Sequence, residues 1–170
     1  MEIKHCALTD LDELMPIFHE ARRTIAQLGI DQWQDGYPSR QVIEEDITLG
    51  RSYCILQDRK ICGTFVLVSD GEPTYNRIYN GTWLTGNDNR DYIAIHRVAI
   101  SVANRGSGIS SSLIAYAVKV AENMGKGSLR IDTHEGNVVM RRMLEKNGFV
   151  YCGVIYLESG VSRVAYEKII

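Results

Sequence analysis

Neither sign of charge dominates this 170-residue chain: 19 lysines and arginines face 21 aspartates and glutamates, for a net charge of −2. That balance leaves no basic stripe, so nucleic acid and an anionic membrane surface are not expected partners. No apolar run approaches the ~18 residues of a membrane span. The N-terminus, MEIKHCALTD, mixes charges into its first residues, and a cytoplasmic protein is expected. Cys6, Cys54, Cys62 and Cys152 lack CxxC spacing, and their apolar, strand-like surroundings mark them as core thiols. His5, His19, His96 and His134 form no HExxH or other tight ligand set, so no metal site is expected. Repeats and low-complexity tracts are missing as well. What is present, 45% hydrophobic and 24% charged residues, suits one soluble globular domain over residues 1–170 with a single sizeable core.

Periodicity divides the chain into alternating strands and helices. Residues 3–7 read as a first strand. Leu11, Leu14, Phe18, Ala21, Ile25 and Leu28 recur at spacings of three and four, which predicts an amphipathic helix capped by Thr9 or Asp10, stopped by Gly29, and bent or delayed by Pro16. A loop over 30–38 carries Trp33 and Tyr37, and a shorter helix follows over 39–49. Residues 52–57 and 60–69, parted by Asp58 and Arg59, read as an antiparallel hairpin. The stretch 70–91 is rich in Gly, Asn and Asp and too long for a plain connector; its middle, 78–84, suggests a minor strand, and connections of this length often carry binding residues. Then come a strand over 92–100, a helix over 109–124 ended by Gly125, a strand over 127–133, and a helix over 138–147 between Asn137 and Gly148. A hairpin of 149–157 and 161–169 closes the chain. The order predicts a largely antiparallel sheet with one parallel β-α-β step and helices on both faces. The closing hairpin offers an edge on which a homodimer could form.

The most informative segment is VAISVANRGSGISSSL, residues 98–113, an apolar strand running into a glycine loop that opens a helix. Gly106 and Gly108 permit a tight turn with uncovered N–H groups, and the first turn of the helix adds unpaired donors and a positive dipole end. Arg105 supplies a charge at the mouth of the loop, and Ser110 to Ser112 keep the entrance small. Such a cradle suits a pyrophosphate. Gly106, Gly108 and Asp132 superficially imitate a dinucleotide fingerprint. However, Ser111 occupies the place of the third glycine, five residues separate the strand from Gly106, and the preceding strands form a hairpin instead of further β-α-β units. No GKS or GKT follows for a P-loop, and Ser112 stands where a nucleophile elbow needs glycine.

Arg105-Gly106-Ser107-Gly108-Ile109-Ser110 resembles the coenzyme A-binding motif of the GNAT superfamily of N-acetyltransferases, [Q/R]-x-x-G-x-[G/A] between a strand and a helix. Ser110 departs from the usual Gly or Ala but is still small. The run Asn137-Val-Val-Met-Arg-Arg-Met-Leu-Glu-Lys-Asn-Gly-Phe149 resembles the family's second motif. The resemblance is strongest from about 92 to 157 and extends over nearly the whole chain, resembling a group of small bacterial members. It implies an α/β (α+β) fold: a mixed, mostly antiparallel central sheet with a splayed parallel strand pair. It also implies acetyl-CoA as co-substrate, with the pantetheine arm on backbone groups of Val98, Ala99 and Ile100. The Ile100 N–H is then a donor to the developing oxyanion, and the pyrophosphate rests on Arg105, Gly106, Ser107, Gly108, Ile109, Ser110 and Ser111. Asn137 faces the coenzyme near its sulfur end.

Acetyl transfer needs an unprotonated amine, and a lysine-like amine has a pKa of ~10, so a base must take its proton. His96 is the candidate base, on the strand leading into the splay; the alternative is a histidine hydrogen-bonded within the sheet or lining the pocket. Arg97 should face the other way and form an ion pair. His134 and Glu135 border the acceptor site or are solvated or capping residues, and Asp132 is expected to bind loop N–H groups. The tyrosine that usually protonates the leaving thiolate in the family is replaced by Leu144, with Tyr116, Tyr151 and Tyr156 as substitutes unless their rings simply pack. Trp33, Tyr37 and Trp83 are candidate acceptor contacts, though each tryptophan equally suits a loop anchor. The acceptor is expected to be a small-molecule or peptide amine, attacking directly in a ternary complex. A non-catalytic module that binds or senses acyl-CoA is the competing reading.

Overall fold

The computed structural model describes residues 1–170. Its strands are β1 (Glu2–His5), β2 (Ser52–Gln57), β3 (Lys60–Val68), β4 (Tyr92–Ile100), β5 (Ser128–Thr133), β6 (Val150–Tyr156) and β7 (Ser162–Ile169), and its helices are α1 (Leu11–Gln27), α2 (Arg40–Thr48), α3 (Ile109–Asn123) and α4 (Val138–Lys146). The strands form one sheet in the order β1-β2-β3-β4-β5-β7-β6. It is mostly antiparallel, with β4 and β5 as the parallel pair. The β4–β5 register covers Tyr92–Ala94 against Ser128–Arg130, although β4 extends to Ile100 and β5 to Thr133. The chain divides into two compact units, Met1–Leu67 with Arg97–Leu113, and Val68–His96 with Ile114–Ile170.

In the first unit the stripe on α1 buries Leu11, Leu14, Ile17, Phe18, Ala21 and Ile25. Most of it packs with Ile43 and Ile47 of α2, Cys54 of β2 and Ala99 of β4. Full burial of each larger side chain there contributes roughly 1.5–3 kcal/mol. Pro16 lies inside α1 without ending it. Asp10 precedes α1 as expected, but its carboxylate is turned back to accept the Ala7 N–H at 2.8 Å and to pair with Lys4 at 3.2 Å. Ser39 caps α2, its hydroxyl accepting the Val42 N–H. Asp58 and Arg59 adopt φ of +50° and +63°, the twist that a two-residue hairpin turn requires. A side chain at Gly63 would bring a Cβ within 3.1 Å of the Ala99 carbonyl oxygen, so glycine there permits a close backbone approach. Cys6 and Cys54 are joined as a disulfide with Cα atoms 5.3 Å apart, which corrects their reading as thiols. They lie 48 residues apart in sequence, and only the pairing of β1 with β2 brings them together. Cys62 is a free, buried thiol in this unit, as Cys152 is in the second.

In the second unit β7 pairs with both β5 and β6. Arg130 and Glu167, fully buried on β5 and β7, form an ion pair at 2.9 Å. Ser128 and Thr85 donate to the same Glu167 carboxylate at 2.6 Å each. Burial pushes that carboxyl up, but the Ser128, Thr85 and Arg130 donors outweigh it and hold the group below its usual range. The Arg130 guanidinium also lies over the Trp83 and Tyr92 rings. The expected minor strand over 78–84 reduces to one bridge between Tyr79 and Val154. Gly81 explains the tight fit nearby, since a Cβ there would come 1.9 Å from the Cys152 carbonyl oxygen.

Candidate active site

Within the first unit, Arg97 lies on β4 with a φ of +51°, a conformation that costs a non-glycine residue energy and persists where the surrounding structure holds it. The guanidinium is held from two sides. Its Nη2 donates to Asp46 Oδ1 at 2.7 Å, its Nε lies 2.6 Å from Asp46 Oδ2, and its Nη1 donates to the Tyr37 hydroxyl. Burial lowers the Arg97 pKa, but Tyr37 and Asp46 outweigh it and raise it. The ion pair expected for Arg97 is therefore present, and it ties α2 to β4, while the Tyr37 hydrogen bond ties the preceding loop. Beyond it, Ala99 is buried while Val98 and Ile100 are half-buried.

The chain then turns through Val102–Asn104 into the glycine loop. Gly106 and Gly108 sit at φ of +79° and +83°, with no atom within 4 Å of a Cβ built on either. Their glycine identity thus serves backbone conformation and leaves space above the loop. The loop is braced by α1: Glu20 accepts the Val102 N–H at 2.9 Å, and Arg105 donates to the Thr24 hydroxyl at 3.0 Å. Arg105, Gly106, Ser107 and Gly108 are exposed, Ile109 is buried, Ser110 is half-buried and Ser111 is exposed. The first N–H groups of α3 open here, where helix geometry gives them no intrahelical acceptor.

His96 is the last β4 residue of the second unit. Its Nε2 lies 3.0 Å from Glu72 Oε2, with the side chains 17% and 20% exposed. The other Glu72 oxygen accepts the Thr74 hydroxyl at 2.9 Å and the Thr74 N–H at 3.2 Å, and the Glu72 N–H donates to the Tyr92 hydroxyl at 3.0 Å. Burial pushes the Glu72 carboxyl up, but His96 and Thr74 outweigh it and hold it at about 2. Tyr75 flanks the imidazole, ring centroids 6.0 Å apart, and donates from its hydroxyl to Asp132 Oδ1 at 2.7 Å. Burial and the Asp132 carboxylate push that hydroxyl well above the usual tyrosine range. Asp132 was expected to bind loop N–H groups; it accepts from this tyrosine instead.

The other expected site residues separate into two groups. Trp33 and Tyr37 lie on the first unit's loop, Trp33 against Phe18 and lining a cleft of about 640 Å³ with His19, Glu20 and Arg23. Trp83 is 1% exposed, its indole N–H donates to the Tyr75 carbonyl, and its ring lies against Arg130, which is the loop-anchor arrangement. Asn137 caps α4, its side-chain oxygen accepting the Met140 N–H at 3.2 Å. His134 Nδ1 accepts the Gly136 N–H at 3.0 Å within the turn that precedes α4. Leu144 is fully buried, Tyr151 packs on Tyr166, and Tyr156 packs on Tyr79. Glu72, Tyr75 and Asp46 carried no sequence signal of their own; the length of the 70–91 connection was the only hint toward the first two.

The Acetyltransferase (GNAT) family model matches residues 11–149. The chain belongs to the GNAT acetyltransferase family. A GNAT-family acetyltransferase from Streptococcus agalactiae is 37% identical, with 99% of this chain and 95% of that one covered and a TM-score of 0.89. The GNAT fold is shared at lower identity by PaiA N-acetyltransferase from Thermoplasma acidophilum, solved in complex with coenzyme A, at 18% identity, coverages of 99% and 98%, and a TM-score of 0.73. A ribosomal-protein-alanine N-acetyltransferase from Brucella melitensis gives 19%, 100% of both chains, and 0.69. No curated protein sequence matches the chain significantly. For a GNAT protein the mixed sheet with its parallel β4–β5 pair is the family's architecture, as expected from the element order.

Proposed function

We propose that this protein is an acetyl-CoA-dependent N-acetyltransferase, in which the amine of a small molecule or peptide attacks the thioester directly in a ternary complex. The observation that carries the reading is the loop from Arg105 to Ser111, open above both glycines and leading into the N-terminus of α3. There the Arg105 guanidinium and the backbone N–H groups of Gly106 to Ser111 take the pyrophosphate of coenzyme A. Backbone groups of Val98, Ala99 and Ile100 hold the pantetheine arm, and the Ile100 N–H donates to the oxyanion as the carbonyl becomes tetrahedral. The coenzyme A complex of the Thermoplasma relative supports the choice of ligand. On this reading residues 1–170 work as one acetyltransferase domain.

His96 is the base that takes the acceptor's proton. Trp33 and Tyr37 border the acceptor. Initial rates measured across a grid of acetyl-CoA and amine concentrations test the route: intersecting reciprocal plots are expected. Parallel plots would mean a covalent acetyl-enzyme and would contradict direct attack. Leu144, buried where the family's tyrosine stands, favours the second reading, a non-catalytic acyl-CoA-binding or sensing module. That reading requires coenzyme A to bind with no amine turned over.

A further inference from the structure

The 70–91 connection delivers one carboxylate to the imidazole of β4. Glu72 meets His96 through Oε2 at 3.0 Å while its Oε1 is already occupied by the hydroxyl and N–H of Thr74. The glutamate is thus fixed at both ends: its backbone N–H is tied to the Tyr92 hydroxyl, and its carboxylate is clamped by Thr74. Such anchoring is what a second residue needs in order to orient a first. Around the imidazole, Glu72 is the charged group in contact. Tyr75 places a neutral ring beside it, with Asp132 engaged by the Tyr75 hydroxyl. The next charge along β4, Arg97, is already neutralised by Asp46.

We propose that Glu72 is the positioning residue of a Glu72–His96 pair, which keeps the imidazole proton on Nε2, leaves Nδ1 as the basic nitrogen, and stabilises the imidazolium formed during acetyl transfer. A carboxylate only accepts, so at 3.0 Å it favours the imidazole tautomer with its proton on Nε2, a contact at ion-pair distance that lies outside hydrogen-bond alignment in this structure. This rests on the reading of His96 as the base. The acceptor ammonium gives a proton to Nδ1 and becomes a free amine, and its lone pair forms the new C–N bond to the thioester carbonyl. The C–S bond then breaks with its electron pair on sulfur. The proton still on the attacking nitrogen goes to the thiolate directly or through water, and the imidazolium returns its own to solvent. One proton is released per turnover.

The test combines Glu72→Gln and His96→Gln. In Glu72→Gln the amide oxygen stays with the Thr74 donors, so its NH2 faces Nε2 and drives the imidazole proton onto Nδ1. Long-range ¹H–¹⁵N spectra of the neutral imidazole should show Nε2–H in the wild type and Nδ1–H in Glu72→Gln. The variant should lose ~10²-fold or more in kcat with KM for acetyl-CoA unchanged, and calorimetric coenzyme A binding confirms its fold. In His96→Gln the Glu72 carboxyl, followed by ¹³C NMR, should titrate above its native value of about 2. An unchanged tautomer in Glu72→Gln, with His96→Gln still inactive, overturns the role of Glu72 and leaves the base in place. Full turnover by His96→Gln overturns both.

Discussion

At the scale of single residues, Arg97 shows how chemistry and folding share one strand. Its left-handed backbone distorts β4 immediately after His96, and its side chain is held by Asp46 and Tyr37. A buried pair of this kind costs most when half of it is removed, because the surviving charge is left without a counter-charge. Asp46→Asn should therefore destabilise the protein by about 3 kcal/mol, read as a fall in the urea midpoint. A loss under about 0.5 kcal/mol would mean that the pair is effectively solvated. His96 and Arg97 were legible as base candidate and ion-pair member because both stand on a strand leading into a recognisable loop. Their partners were not: Glu72 lies 24 positions before His96 and Asp46 lies 51 before Arg97. Local periodicity carries no information about pairing over such separations.

At the scale of elements, the loop and helix over 105–123 act as one device. The left-handed glycines aim the N–H groups, α3 supplies the dipole end, and α1 braces the approach through Glu20 and Thr24. Gly108→Glu places a carboxylate where the pyrophosphate should sit and a side chain at a φ of +83°. Coenzyme A affinity, measured by calorimetry, is expected to fall by ~10²-fold or more, roughly 3 kcal/mol. Retained native affinity would remove the loop from the site. These elements were legible because glycine, proline and capping residues punctuate them: Gly29, Gly125 and Gly148 each follow a helix at positive φ. The 70–91 connection was not, since its structure comes from tertiary fit. Trp83 closes over Arg130, and Gly81 approaches the Cys152 backbone too closely for any side chain.

At the scale of the whole chain, the mixed sheet followed from element order, yet placing β7 between β5 and β6 did not, because a closing hairpin can dock by either strand. Stability against acid is also set at this scale. Glu72 and Glu167 both titrate below their ordinary range, whereas an unfolded glutamate titrates near ~4.3. Their stabilisation is therefore complete above that value and is lost as pH falls, for Glu72 down to about 2. Tm should drop steeply between about pH 5 and pH 2, and Glu72→Gln should flatten that fall; parallel curves for variant and wild type would contradict the assignment. The central claim, transfer of an acetyl group to an amine, is tested most directly by following free thiol release from acetyl-CoA across a panel of small-molecule and peptide amines, with acetylated product identified by mass. Amine-dependent release matched one-to-one by acetylated amine is the expected result, and coenzyme A binding with no amine acetylated would contradict it.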